Sequence, residues 1–154
     1  MTVLYLMCGI PGSGKSTWIE KHKTDTDVVI SRDVVRFSLV KENEEYFSKE
    51  NLVFNTFIEQ INEAIDNNVS TIYVDATHIS QASRNKVLNK LHLSENVKIV
   101  PVFFNIPFKV CSEQNKKRTG RAVVPTNVLM NMYGNLEAPT FNEKHRYSSI
   151  ITVS

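Results

Sequence analysis

The stretch CGIPGSGKST, at residues 8–17, constrains the fold of this chain more than any other part of the sequence. It follows the apolar run TVLYLM and precedes WIEKHK, so it lies between a predicted strand and a predicted helix. A glycine at position 9, four further residues and then GKS at 14–16 match the phosphate-binding loop. Successive backbone N–H groups of such a loop surround anionic oxygens, and the next helix adds its positive dipole end. The stretch therefore predicts binding of a nucleoside triphosphate.

Each part of this loop has an expected task. The glycines let the main chain approach a ligand closely, the Lys15 ammonium meets the β- and γ-phosphates, and the Ser16 hydroxyl faces Mg²⁺. An ordinary glycine-rich turn is the alternative, and the flanking strand and helix disfavour it. The predicted ATP-binding residues of the loop are Gly9, Pro11, Gly12, Ser13, Gly14, Lys15, Ser16 and Thr17.

Length and composition indicate an ordinary globular protein. With 154 residues, 42% hydrophobic and 22% charged, we expect a single domain over residues 1–154. No apolar run approaches the roughly 20 residues that a membrane helix needs, and the N-terminus lacks the basic region and cleavage site of a signal peptide. Two cysteines suit a reduced compartment. We therefore expect a cytoplasmic protein without a membrane partner.

Strand-like and helix-like patterns alternate along the chain. Apolar runs predict strands at 2–8, 28–31, 70–75, 97–105 and 148–153. Helical periodicity lies between them, with predicted N-caps at Ser48 and Ser80 and with Pro107 in the first turn of a later helix. This alternation predicts an α/β three-layer P-loop domain with a central parallel sheet. Its ligands should gather at the carboxyl ends of the strands.

Two of those strand ends carry carboxylates. The second strand runs into SRDVVR, in which Asp33 either accepts the proton of an attacking hydroxyl or simply caps the helix that follows. Arg36, one turn later, shares a helix face with Asp33. The third strand closes with IYVDAT, and Asp75 fits the Walker-B position near the Mg²⁺ shell.

A basic segment precedes the last quarter of the chain. The stretch FKVCSEQNKKRTGR, at 108–121, holds five Lys or Arg against one Glu. On charge alone we interpret it as a solvated helix face. A lid over phosphates or a nucleic-acid contact is the other interpretation.

Four segments together carry a family resemblance: GIPGSGKSTW, SRDVVR, VDAT and NKKRTGR. In order and spacing the chain resembles the 5′-hydroxyl polynucleotide kinases, both the bacteriophage enzyme and the kinase module of bacterial polynucleotide kinase-phosphatases. The resemblance runs from about residue 3 to residue 134. It implies a small helical lid at about 113–125 and transfer of the γ-phosphate of ATP to the 5′-hydroxyl end of DNA or RNA in nucleic-acid repair.

The resemblance also implies roles for individual residues. By that likeness Lys15 and Ser16 hold ATP and Mg²⁺, Asp33 is the general base and Arg36 contacts a phosphate of the acceptor. Asp75 supports the site, through water to Mg²⁺. Arg118 and Arg121 clamp the donor phosphates from the lid.

Two departures from the family pattern concern the lid and the C-terminal side. Gln114 stands where the family often has a further lid arginine, and no phosphatase domain follows the kinase motifs. The segment 137–154 matches the family only in its final predicted strand. Two alternatives remain open: a small-molecule or nucleotide kinase on the same scaffold, and a non-enzymatic ATP-binding switch. The Arg36 and lid arginines disfavour the switch, because a binder needs no transition-state clamp.

Overall fold

The computed structural model describes residues 1–154 except the side chain of Arg121, and strands alternate with helices along the chain. The strands are β1 (Thr2–Cys8), β2 (Val28–Ser31), β3 (Thr71–Asp75), β4 (Val97–Phe104) and β5 (Ile151–Val153). The helices are α1 (Lys15–His22), α2 (Arg32–Leu39), α3 (Glu50–Asp66), α4 (Gln81–Leu88), α5 (Phe108–Lys116) and α6 (Thr126–Gly134). A short 3₁₀ turn spans Gly120–Ala122.

The strands form one sheet in the order β2-β3-β1-β4-β5, and every pairing is parallel. In the central strand Leu4 lies opposite Ile72 on one side and Ile99 on the other. Parallel strands need covered faces, and their carboxyl ends meet at one edge. That edge carries the phosphate loop after β1, Asp33 after β2 and Asp75 at the end of β3.

Helices cover both faces of the sheet, as the nearly continuous apolar run of β1 predicts. On one face Leu4 and Leu6 pack in the main core with Phe57 and Ile61 of α3, and α4 adds Leu88. On the opposite face Met7 packs with the α1 helix through Ile19. The predicted α/β three-layer P-loop fold is confirmed.

The three predicted helix starts agree with the structure to different degrees. Ser80 caps α4, where its hydroxyl accepts from the N–H of Ser83 at 3.1 Å in a reciprocal capping box. Pro107 directly precedes α5, one residue outside its first turn. The predicted cap at Ser48 is wrong, because the Ser48 N–H donates to the Glu45 carbonyl in a preceding turn and α3 begins only after Lys49.

The C-terminal segment 137–154 adds the last strand to the sheet and forms hydrogen bonds with α4. Its strand β5 pairs with the outer side of β4. Glu143 of the same segment receives the Arg84 guanidinium at 2.9 Å through both Nε and Nη2, and the Tyr147 hydroxyl donates to it at 2.8 Å. This segment therefore belongs to the fold of the domain.

Among the helices of the described residues, none has the length and apolar character required to cross a membrane.

Candidate active site

The phosphate loop, residues 9–17, owes its curvature to two left-handed glycines. Gly12 has φ 83° and Gly14 has φ 97°, backbone values that side chains rarely tolerate. A Cβ on Gly12 would also lie 2.3 Å from the carbonyl oxygen of Cys111 in α5. The loop therefore packs directly on the helix that leads into the predicted lid, and Gly14 brings the chain into α1.

Lys15 lies inside the curve of this loop. Its ammonium donates to the carbonyls of Gly9 at 2.8 Å and Ile10 at 3.0 Å. Burial lowers the pKa of Lys15 from its usual 10.5, and the Asp75 carboxylate opposes that shift. Phosphate oxygens entering the loop could replace these carbonyl partners with charge-assisted hydrogen bonds.

Ser16 and Asp75 meet across the strand ends. The Ser16 hydroxyl donates to Asp75 Oδ2 at 3.4 Å, although the two residues lie 59 positions apart. Burial raises the pKa of Asp75, and the Lys15 ammonium acts against this rise. Mg²⁺ usually takes one or two protein oxygens together with phosphates and water, so this hydroxyl–carboxylate pair fits it. Among the described residues no cluster of three or more His, Cys, Asp or Glu forms a metal site.

Asp33 is not the cap of its helix. Ser31 is the N-cap of α2, and its hydroxyl accepts from the Val34 N–H at 3.3 Å. Asp33, in the first turn, instead accepts three hydrogen bonds from side chains. Oδ1 accepts from Arg36 at 2.7 Å and from Tyr46 at 3.2 Å, and Oδ2 accepts from Arg118 at 3.3 Å. The capping interpretation of Asp33 is thus wrong.

Arg36 is buried and held mainly by Glu50. Its Nε and Nη2 donate to the two Glu50 oxygens at 3.3 and 2.6 Å, and Nη1 donates to Asp33 and to the Tyr46 hydroxyl. Burial raises the pKa of Glu50, but the hydrogen bonds from Arg36 outweigh it and leave that pKa below its usual value. Arg32 adds a second cation on Glu50 at 2.8 Å.

Sequence reasoning missed two members of this group. Glu50 is noticeable in the sequence only as an acidic residue in a first helical turn, and Tyr46 carries no pattern at all. Since Arg36 precedes Tyr46 by 10 residues and Glu50 by 14, no regular spacing links them. The sequence gives Arg36 one predictable carboxylate partner, Asp33, three residues earlier on the same helix face.

The basic segment divides between the two interpretations given to it. Lys109, Lys116 and Lys117 are exposed, as a solvated helix face predicts. Arg118 instead turns toward Asp33, 85 residues earlier in the chain. Asn115 holds the segment in place, because its amide donates to the Val124 carbonyl at 2.7 Å and its oxygen accepts from the Val124 N–H at 3.0 Å.

Two further lid predictions concern Gln114 and Arg121. Gln114 lines the same cavity as Arg118, so the amide stands at a position that faces the site. The side chain of Arg121 lies outside the described residues, and its predicted donor contact stays a prediction.

The loop and most of the charged groups just described line one cavity of about 990 Å³. The phosphate loop lines it from Pro11 to Thr17, together with Asp33, Arg36, Asp75 and Arg118. Counted over the described residues, five Lys or Arg side chains face three carboxylates in its lining, so this lining has a positive balance. A cleft of this sign favours anionic ligands.

Comparisons with solved structures place the fold among kinases and related proteins. A chain in the structure of the Pnkp1/Rnl/Hen1 RNA repair complex matches with a TM-score of 0.72 and 21% identity, over 88% of this chain and 44% of that one. The present chain thus spans less than half the length of that relative. A sugar kinase from Janibacter sp. matches with a TM-score of 0.66 and 21% identity, over 99% of this chain and 85% of the other.

A gluconokinase from Sinorhizobium meliloti 1021 matches with a TM-score of 0.58 and 18% identity, over 97% of this chain and 80% of its own. At such identities the likeness establishes a kinase-like P-loop fold. No curated protein sequence matches the chain. A family model described as AAA domain matches residues 4–139. Since that match covers most of its length and includes the phosphate loop, the chain belongs to the AAA domain family of the P-loop NTPase superfamily.

Proposed function

We propose that this protein is an ATP-dependent 5′-hydroxyl polynucleotide kinase that acts on DNA or RNA ends in nucleic-acid repair. One observation carries the proposal: Asp33 lies between Arg36 and Arg118, in the cavity that the phosphate loop lines. In phosphoryl transfer a carboxylate can accept the proton of the attacking hydroxyl while an arginine stabilises the transferring group, and Asp33 with Arg118 supplies both kinds of group at this place.

The hydrogen bonds of Asp33 favour one of its oxygens as the base. A carboxylate has about four lone-pair sites, and Oδ1 already accepts from Arg36 and Tyr46. Within the described part of the chain Oδ2 accepts only from Arg118, which leaves it a further lone pair for a proton. In the proposed reaction the acceptor oxygen attacks the γ-phosphorus and its proton passes to Oδ2. The bond from that phosphorus to the leaving ADP oxygen breaks.

On the donor side the chain supplies two cations. Lys15 exchanges its carbonyl partners for phosphate oxygens, and Arg118 moves from Asp33 toward the transferring group. Both charges stabilise the equatorial oxygens as negative charge spreads over them. Ser16 and Asp75 would hold Mg²⁺, which neutralises charge on the donor phosphates when bound.

On the acceptor side Arg36 is the proposed phosphate contact. Its four hydrogen bonds to Asp33, Tyr46 and Glu50 leave one guanidinium N–H without a protein partner among the described residues. An acceptor phosphate takes that N–H and competes with Tyr46 for a second. Glu50 keeps the guanidinium in place during this exchange.

The similar structures named above support two different classes of acceptor. The RNA repair complex supports a polynucleotide end, and the sugar kinase and gluconokinase support a small polyhydroxy acceptor. The positive balance of the cavity favours an acceptor that carries phosphate. The experiment that follows separates the two classes.

Transfer of labelled γ-phosphate from ATP to a 5′-hydroxyl oligonucleotide, a nucleoside 3′-phosphate and the plain nucleoside tests the proposal. A charge-assisted contact of about 1.5–3 kcal/mol at Arg36 predicts that kcat/KM for the plain nucleoside is lower by a factor of about 10–150. Arg36→Ala should remove most of that difference and leave ATP affinity unchanged. Arg146→Ala is the matched control, because Arg146 is an exposed arginine outside the cavity lining.

Two outcomes would contradict the proposal. Equal use of nucleoside and nucleoside 3′-phosphate by the wild type would transfer the assignment to a small-molecule kinase, which a panel of sugars and sugar acids would then identify. ATP binding without transfer to any acceptor would favour the nucleotide switch. Added salt should weaken only the phosphate-bearing acceptors, because their contacts release counterions.

A further inference from the structure

We infer that Phe37, Tyr46 and Phe47, here called the aromatic platform, bind the nucleobase of the 5′-terminal nucleotide of the acceptor. The inference rests on the proposed function and adds a binding site to it. According to this inference the protein recognises the base of the acceptor in addition to its hydroxyl and its phosphate. The platform comes from the end of α2 and the connection between α2 and α3.

The three rings form one continuous cluster beside the proposed base. The ring centroids of Phe37 and Tyr46 lie 6.1 Å apart, and those of Tyr46 and Phe47 lie 4.7 Å apart at an interplanar angle of 89°. The Tyr46 hydroxyl donates to Asp33 at 3.2 Å. Phe47 therefore packs on Tyr46, the side chain whose hydroxyl contacts the Asp33 carboxylate.

Arg36 also contacts two rings of this cluster. Its guanidinium lies 4.8 Å from the Tyr46 ring centroid and 5.4 Å from that of Phe47, distances typical of cation–π contacts. The same guanidinium is held by Glu50. The proposed phosphate contact and two rings of the platform are thus joined through one guanidinium, which Glu50 holds.

The platform is exposed where a ligand would reach it. Phe47 is 61% exposed and Phe37 is 36% exposed, and all three rings line the cavity that holds Asp33 and Arg36. Val34, 67% exposed on the same helix, extends this apolar surface. Burial of such surface by a flat aromatic ligand is favourable, and bases stack on aromatic side chains irrespective of sequence.

A nucleotide matches three neighbouring features at once. Its 5′-hydroxyl suits Asp33, its 3′-phosphate suits Arg36, and its planar base suits the aromatic platform. A sugar acid would use only the first two, because its hydroxyls require polar partners that this exposed wall of valine and phenylalanine does not provide. The platform therefore favours a nucleotide over a polyhydroxy acceptor.

The test compares two 5′-hydroxyl oligonucleotides that differ only at the terminal nucleotide, which either carries its base or is an abasic tetrahydrofuran. Stacking on aromatic side chains predicts that loss of the base lowers kcat/KM of the wild type by about 5- to 150-fold. Phe47→Ala should lower kcat/KM for the intact oligonucleotide and leave the abasic one unchanged. Phe47→Trp should retain the preference.

Phe141→Ala serves as the control, because Phe141 is 65% exposed and does not line the cavity. Equal kcat/KM for intact and abasic oligonucleotides, with both phosphorylated by the wild type, would overturn the platform and leave the proposed function standing. Absence of phosphorylation for every oligonucleotide would instead overturn the proposed function and the platform with it. Thermal melting of each variant verifies that it is folded, and Phe47→Leu, which keeps apolar bulk but no ring, should behave like Phe47→Ala.

Discussion

Two arginine–glutamate clusters with the same hydrogen-bond geometry lie in different surroundings. In each, a buried arginine donates through Nε and Nη2 to both oxygens of one glutamate, Arg36 to Glu50 and Arg84 to Glu143. The side chains of Arg84 and Glu143 are 0% and 2% exposed. Arg36 is 8% exposed, but its carboxylate partners Glu50 and Asp33 are 33% and 41% exposed.

Burial of both partners distinguishes the pair of Arg84 and Glu143, here called the closed cluster, from the group around Asp33, here called the open cluster. Besides Glu143, the Arg84 guanidinium reaches the carbonyls of His78 at 2.9 Å and Glu137 at 3.1 Å. Glu143 also accepts from the Tyr147 hydroxyl and the Thr140 N–H. A ligand could reach this cluster only by breaking a buried ion pair, and loss of either partner would leave the other charge buried without compensation. The open cluster around Asp33 faces the cavity, and there the same chemistry is available to a ligand.

The largest expected effect concerns the open cluster around Asp33. Arg118→Ala removes the lid charge that pairs with Asp33 at 3.3 Å, and arginine clamps of this kind contribute about 10³–10⁵ in kcat. Arg118→Lys should recover little, because a point charge does not reproduce the guanidinium fork. The melting temperature should barely move, since exposed ion pairs contribute about 0–1 kcal/mol. Near-normal kcat in Arg118→Lys would refute the clamp.

Next in size is the proposed base. Asp33→Asn should lower kcat by at least about 100-fold, within the range of about 10²–10⁴ for general bases, and retain ATP binding. Steady-state kinetics with a nucleotide-binding titration measures both. Loss of thermal stability with full activity would return Asp33 to a structural role.

In the closed cluster the expected effect is on stability. Glu143→Gln leaves the Arg84 charge buried without its counter-ion, and breaking such a pair costs about 3–5 kcal/mol. Denaturant unfolding measures the loss. The control is Glu20→Gln, which disrupts the exposed Lys23–Glu20 pair at 3.0 Å and should cost under about 1 kcal/mol. Equal losses in the two variants would remove the distinction between closed and open pairs.

The closed cluster also predicts a dependence on pH. Burial would raise the pKa of Glu143, but hydrogen bonds from Arg84 and Tyr147 outweigh it and hold the pKa below its usual 4.5. The contribution of Glu143 to folding is therefore complete above pH 4.5 and disappears as the pH falls through the lower folded value. Glu143→Gln should flatten this acid limb of the stability profile. An unchanged acid limb would contradict the assignment.

The smallest expected effect concerns Ser31, the N-cap of α2, and distinguishes its role from that of Asp33, the proposed base. Ser31→Ala removes the hydroxyl that accepts from the Val34 N–H and should cost about 1 kcal/mol of stability. Turnover should change little, because the hydrogen bonds that Asp33 accepts in the described part of the chain come from Arg36, Tyr46 and Arg118 and not from Ser31. A loss of activity comparable to that of Asp33→Asn would show that the two residues act together.

Sequence alone determined the scaffold and the position of the phosphate loop in it. The alternation of strands and helices placed β1 and β2 at the observed bounds, because burial on a sheet face imposes a local apolar period. The phosphate loop was equally readable, since its glycines and Lys15 act within ten consecutive positions. The Ser48 cap failed because Lys49 is the N-cap of α3 and Ser48 ends the turn before it, and sequence patterns do not fix a helix boundary to a single residue.

Only the tertiary structure decided which charged side chains meet. Arg118 and Asp33 are 85 residues apart, and their contact depends on how α5 packs against Gly12 of the phosphate loop. Glu50, readable in the sequence only as a helix-start residue, became the partner of Arg36 because α3 lies against α2. The C-terminal segment likewise gained its part through Glu143 and the buried Arg84. Electrostatic pairing depends on distance in space, and sequence spacing reports that distance only within one helix or strand.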